Sequence, residues 1–183
     1  MTKTRIIFSG NKDLSIDLIK TFKDKLGQST LIIDWLYGER VLPIAFGVED
    51  EAIYDLYDFI NMGLETKDYA IDLGDGGALI PAPFKEDKRD FSDTELRCFF
   101  DNLNYDNILV LANKLEDSNF LEDYKKIHIG EVGPQGALYI CDKDREERIG
   151  SIKHFDPQEA YDLYTSGKYY KKSLLGKIRG IFS

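Results

Sequence analysis

The stretch TRIIFSGNKDLSID, residues 4–17, decides how the rest of the chain is read. Thr4–Phe8 is a short β-branched run that stops at Ser9-Gly10, the pattern of a buried strand closed by a turn. Leu14, Leu18, Ile19 and Phe22 then recur at helical spacing until Gly27. A strand, a turn and an amphipathic helix make the opening unit of an α/β fold. Downstream, Leu31-Ile32-Ile33 closed by Asp34 reads as a second strand. A loop with Gly38, Pro43 and Gly47 leads to a helical stripe over Glu49–Met62, carried by Ile53, Leu56, Tyr57 and Ile60 and stopped at Gly63. Gly74–Gly77 (GDGG) is a turn before a third strand, Ala78–Ile80, which Pro81 ends. No helix follows it, so it is not a phosphate loop. Ser92 with Glu95 is a capping-box signal for a helix through about Leu103, and Ile108–Leu111 is a fourth strand. The pattern then weakens: a helix around Phe120–Lys126, strands near Ile127–Ile129 and Ala137–Cys141, and a helix from about Pro157 to Tyr164. Strands alternating with helices imply an α/β domain, a mostly parallel sheet flanked by helices on both faces, over residues 1–166.

Composition narrows the function classes. The chain has 183 residues with 33 acids and 24 bases, a formal net charge of −9. Acidity argues against nucleic acid as a partner, since a phosphate backbone wants a basic face. Two cysteines, Cys98 and Cys141, are too few for a disulfide framework or a cysteine zinc site, which suits a reducing cytoplasm. Both lie in apolar runs and are expected to be buried. No apolar run approaches the roughly 20 residues of a spanning helix, and MTKTRIIFSG does not read as a signal peptide. The average hides an asymmetry. Residues 167–183 hold five bases and no acid, so all 33 acids and the other 19 bases lie upstream. A −14 body precedes a +5 tail, an asymmetry that suggests a separate partner for the tail.

In an open α/β sheet, ligands sit at the carboxyl ends of the strands, so chemistry is sought first in the turn after the first strand. A phosphate-cradling loop needs glycines, a lysine and a magnesium-binding hydroxyl. Here Gly10 is followed by Asn11 and Lys12, and Ile16 and Asp17 stand where the lysine and hydroxyl belong. An aspartate there repels phosphate. No nucleotide cofactor and no metal are expected. His128 and His154, the only histidines, have no cysteine partners at ligand spacing.

The order of strand, Ser9-Gly10 and helix, then LIIDW, then YGERVLPIAFGVEDEAIYDLYDFINMG, resembles the MinD/ParA group of deviant Walker ATPases. Gly47–Asp58 is similar to the "GxE…xYDLxD" stretch of that group, Leu79–Ala82 to its third strand and Tyr105–Val110 to its "YDxIxxD" strand. The resemblance covers about residues 4–112 and the extreme C-terminus; residues 113–165 do not align. It implies a P-loop NTPase-like fold in truncated form. On it, the signature lysine falls on Asn11, the phosphate-loop lysine on Ile16 and the magnesium hydroxyl on Asp17. Asp34 is retained, while the catalytic acid falls on Leu36 and the Walker B aspartate on Leu111. What the resemblance implies is therefore a pseudo-ATPase, with the fold kept and the catalytic set lost.

In the tail, Leu174, Leu175, Ile178, Ile181 and Phe182 form one helical stripe, flanked by Lys171, Lys172, Lys177 and Arg179. That composition suits a helix lying in an anionic membrane interface, where each base adds about 1 kcal/mol and each buried apolar side chain about 1.5–3 kcal/mol before ordering costs. It equally suits a helix docked on its own acidic domain. The family resemblance favours the membrane, because MinD ends in a short amphipathic targeting helix. The expectation is a noncatalytic, cytoplasmic protein held peripherally at the inner face of a bacterial membrane. It would serve spatial positioning of division, polar or pilus-assembly machinery through protein contacts, with an active relative or a second copy as partner. The rivals are a nucleotide switch or ATPase with a noncanonical loop, and a soluble adaptor whose tail docks on a protein. Asp34 is expected as a solvated strand-end acid, and Asp142–Arg148 (DKDREER) as an exposed turn.

Overall fold

The computed structural model describes residues 4–27, 29–36, 39–84, 91–113, 121, 123–130, 137–142, 145–150 and 156–166; within 130–150 the description is of backbone pairing. Strand β1 (Thr4–Gly10) leads through one residue into helix α1 (Lys12–Leu26), and β2 (Thr30–Trp35) follows. Helix α2 (Val41–Phe46), a single 3₁₀ turn (Glu49–Glu51), α3 (Leu56–Met62) and α4 (Thr66–Tyr69) separate β2 from β3 (Ile71–Asp72) and β4 (Gly77–Ile80). Then come α5 (Asp93–Asp101), β5 (Asn107–Ala112), β6 (Lys125–Gly130), β7 (Ala137–Asp142), β8 (Arg145–Gly150) and α6 (Pro157–Ser166).

These strands form one sheet in the order β3-β4-β2-β5-β1-β6-β7-β8. The five strands β4, β2, β5, β1 and β6 run parallel, while β3 at one edge and the β7–β8 pair at the other are antiparallel. The central strands are apolar at nearly every position because both faces are covered. Ile6, Phe8, Ile32, Leu109, Leu111, Ile127 and Ile129 point to one core, which α1 fills with Leu18, Ile19 and Phe22. Ile7, Leu31, Ile33, Ile108 and Val110 point to the other, against Leu56 and Phe59 of α3 and Leu96 and Phe100 of α5. Phe22 sets the packing of the first core. Its ring meets Phe8 at 5.4 Å and, across the helix layer, Tyr161 and Tyr164 of α6 at 4.8 and 5.2 Å, all edge-to-face.

The expected mostly parallel, two-faced sheet is present, and α5 starts on the full Ser92/Glu95 capping box. Several local expectations are corrected. The helix expected around Phe120–Lys126 gives way to a turn closed by Tyr124 N–H to Leu121 C=O, and then to β6. Ile127 and Ile129 are buried, while Lys126 before them and His128 between them are only half-buried, a period of two that marks a strand. The turn expected at Asp142–Arg148 is a hairpin, with Asp142 paired to Arg145 and β8 lying along β7; edge strands tolerate charge because their ladder is made by backbone. The stripe over Glu49–Met62 breaks between the 3₁₀ turn and α3, where Asp55 supplies a reciprocal capping box with Asp58. Ile53 consequently stands 74% exposed rather than in the core. The loop holding Pro43 contains α2, with Pro43 in its first turn, where no intrahelical N–H bond is due. Cys98, expected to be buried, is exposed on the outer side of α5; the side chain of Cys141 lies outside the described residues.

Candidate functional site: the carboxyl edge of β1

β1 connects toward β2 on one side, and β5 connects toward β6 on the other. The carboxyl ends of β1 and β5 therefore sit where the winding direction changes, the usual ligand position in this architecture. Only Asn11 separates strand from helix. Its side chain accepts from Leu14 N–H at 3.1 Å and its carbonyl from Ser15 N–H at 2.9 Å, so the first helical turn begins at once.

The turn is fastened sideways to β6. Asn11 N–H donates to the Ile129 carbonyl at 2.7 Å. Gly10 has φ +92°, and a Cβ at this position would stand 2.1 Å from the same oxygen, so only glycine fits. Beneath it, the buried Ser9 places its Oγ 3.0 Å from His128 Nδ1, while Ser15 Oγ donates to the Ser9 carbonyl at 3.4 Å. The Asn11 amide at the strand end is thus already used on protein.

The charges around the turn are also committed. Lys12 Nζ meets Glu39 Oε2 at 2.7 Å, and that hydrogen bond and charge raise the lysine's pKa. Asp13 adds negative charge in the first turn of α1. Ile16 lies in the second turn and packs against the first core, and the exposed Asp17 accepts from Thr21 Oγ1 through its carbonyl at 3.0 Å. Leu36 and Leu111 are both buried in the same core. The residues Gly10, Asn11 and Lys12 do gather at one edge; Ile16 and Asp17 are carried away from it along the helix.

Asp34, expected to be solvated, is fully buried. Its two carboxylate oxygens accept from Leu36 N–H at 3.2 Å and Leu42 N–H at 3.1 Å. The second bond caps α2 from outside, since Arg40 at the N-cap position gives no side-chain cap. Burial pushes this carboxyl up to about 7, against the pull of the Leu42 and Leu36 amides. Nearby, the Arg40 guanidinium lies 4.3 Å from the Phe84 ring centroid and donates to the Glu49 carbonyl at 3.1 Å. The roles of Ser9, His128 and Arg40 were missed in the sequence, because each partner comes from a distant segment. Among the described residues no group of three or more His, Cys, Asp or Glu could hold a metal ion, and no helix is long and apolar enough to cross a membrane. The expected membrane residues 171–182 lie outside the described residues.

No protein-family profile and no curated protein matches the chain. Solved structures do. It is similar to MinD in the MinC:MinD cell division complex of Aquifex aeolicus, with 22% identity over 64% of this chain and 51% of that one, TM-score 0.49. It is similar to a plasmid partition protein from Borrelia burgdorferi, with 20% identity over 61% and 56%, TM-score 0.48. It is also similar to cobyrinic acid a,c-diamide synthase from Mycobacterium smegmatis, with 16% identity over 58% and 49%, TM-score 0.47. The chain spans about half the length of these proteins. The fold itself is the mostly parallel α/β sheet with helices on both faces described above.

Proposed function

We propose that this chain is a noncatalytic MinD/ParA-like protein that acts in spatial positioning through protein contacts, held at an anionic membrane surface by residues 168–183. The observation that carries the reading is the closed β1–α1 turn. One residue spans it, its amide is spent on Ile129, and Lys12 is spent on Glu39. A phosphate group needs several free N–H donors and an unpaired cation at that place. The membrane half is supported by the five bases and the apolar stripe of residues 167–183. Its protein partner is a relative with a working phosphate loop or a second copy, and its place in the cell is the cytoplasmic face of the membrane.

Two measurements test the halves separately. Titration calorimetry of the full chain with Mg-ATP and Mg-ADP gives no binding heat at micromolar protein; micromolar affinity would replace the proposal with a nucleotide switch, and turnover with an ATPase. Flotation with vesicles of anionic phospholipid retains the full chain and loses a variant with Leu175, Ile178 and Phe182 changed to serine. Equal flotation of both would end the membrane half, and a captured protein partner without flotation would indicate a soluble adaptor.

A further inference from the structure

We infer that the segment Glu39–Phe46, which is α2 and the two residues before it, is a strap between the ends of β1 and β2 that stays closed while Asp34 is protonated and opens when Asp34 ionises. The inference is independent of the proposed function.

The strap is tied at few points. Leu42 N–H donates to Asp34 at 3.1 Å, and Arg40 reaches the Glu49 carbonyl and the Phe84 ring. Glu39 meets Lys12 with both side chains about half exposed, and an ion pair so open to water contributes little. Of α2 only Leu42 and Pro43 are buried, while Ile44 is 64% exposed. At the far end Gly47 has φ +69° and open space around it, which supplies a hinge. A segment with so few buried apolar side chains opens at a lower free energy than the whole fold.

Closure also keeps two polar groups from water that the protein serves poorly. Arg40 Nε is buried with no hydrogen-bond partner among the described residues. Asp34 is fully buried, with two backbone amides and, among the described residues, no cation in ion-pair range. The charges at this end of the sheet are Glu39 and Arg40 on the strap, Lys12 and Asp13 in the first turn of α1, and Glu49 in the 3₁₀ turn; on β5 the residue paired with Asp34 is Leu111. Lys12 is spent on Glu39, whose own charge opposes ionisation of Asp34. Burial is the larger cause, and with the strap closed the carboxyl titrates at about 7 rather than 3.8. Once the strap lifts, water reaches the carboxyl and restores its ordinary value. Between those two values the closed form holds a proton that the open form has lost. Each pH unit from about 5 to about 7 therefore raises the opening constant about tenfold, and above that range it levels off. Opening also draws Glu39 away from Lys12 and uncovers Leu42.

Amide hydrogen exchange of the full chain, followed by NMR and corrected at each pH for the intrinsic rate, tests this alongside a carbon-13 titration of the Asp34 carboxyl. The opening constant read at Leu42 N–H is expected to exceed that read at Leu18, Ile19 and Phe22 of α1 at every pH. It should rise about tenfold per unit between about pH 5 and pH 7 and then level off, with the carboxyl titrating over the same range. In Asp34→Asn the Leu42 constant should be level across pH. Glu39→Gln keeps Asp34 and removes one opposing charge, so its plateau should begin at lower pH; this variant carries the test if Asp34→Asn does not fold. Exchange at Leu42 no faster than in α1 overturns the inference, because the strap then has no opening of its own. A constant that does not change with pH in the wild type, a plateau unmoved by Glu39→Gln, or a carboxyl that ionises below about pH 5 overturns it as well.

Discussion

Replacing Asp34 with asparagine separates two effects that the wild-type carboxylate combines. The first is a hydrogen-bond effect with little pH dependence. A carboxylate accepts from both Leu36 and Leu42 N–H, whereas an amide accepts through one atom and sets a donor against the second N–H, at a cost of about 1–3 kcal/mol. The second effect is the titration itself. The folded state raises the carboxyl from 3.8 to about 7, so between those values the folded protein holds a proton that the unfolded chain has lost. A group with a raised folded pKa contributes its full stability below the unfolded value and loses it as pH rises through the folded one. At about 1.4 kcal/mol per unit, the wild type loses about 3 kcal/mol between pH 4.5 and pH 8.5 through this one group. Asparagine does not titrate, and titrations shared by both proteins cancel in their difference. Urea unfolding of the two, followed by fluorescence of Trp35, the chain's one tryptophan, should therefore show the wild-type advantage shrinking by about 3 kcal/mol across that range. A difference that stays level, or that grows with pH, refutes the reasoning.

Gly10→Ala should destabilise by at least about 3 kcal/mol in the same assay, because a left-handed φ and a Cβ 2.1 Å from the Ile129 oxygen leave no relaxed conformation. Phe22→Ala removes the ring that joins Phe8 to Tyr161 and Tyr164; a loss of about 3–5 kcal/mol is expected, with the α6 amides losing hydrogen-exchange protection first. Asp55→Ala takes away the α3 cap and the 2.7 Å bond from Phe84 N–H, which should cost about 2 kcal/mol in denaturant melts. The double variant Ile16→Lys/Asp17→Thr supplies the missing lysine and hydroxyl but leaves them on the second turn of α1. Calorimetry should find no Mg-ATP binding by it, and micromolar binding would show that the turn can reopen.

What the sequence discloses and what it withholds divide along a physical line. Thr4–Phe8, Leu31–Ile33 and Ile108–Leu111 are readable as buried strands because a strand covered on both faces is apolar at consecutive positions. Ser92 and Glu95 are readable because a capping box is a contact across three residues. The strand at Ile127–Ile129 is readable, but its start at Lys125 is misread as helix because Lys125 and Lys126 carry no apolar signal, and the partner β1 lies more than a hundred residues upstream. Ile53 is misread because a helical stripe tolerates a break that only the Asp55 cap reveals. At the site, the sequence places Gly10, Asn11 and Lys12 correctly at the end of β1. It cannot supply Ile129, His128 or Glu39, whose contacts span 27 to 119 residues. Asp34 shows the same limit, since an acid that ends a strand has the same local signature whether water or a helix terminus receives it.

The position of β1 between β5 and β6 sets a timetable for the chain's synthesis. Its two hydrogen-bonding neighbours begin at Asn107 and Lys125, so the first strand made is among the last to be paired on both edges. At about 5–20 residues per second, the apolar run Ile6–Phe8 waits on the order of 6–24 s before β6 has been translated. Through that interval Ile6–Phe8 is an unpaired apolar β segment with only Arg5 as a flanking charge, a form prone to association with other nascent chains. This protein should therefore engage holding chaperones during translation, and slowing synthesis between residues 11 and 125 should lower its soluble yield.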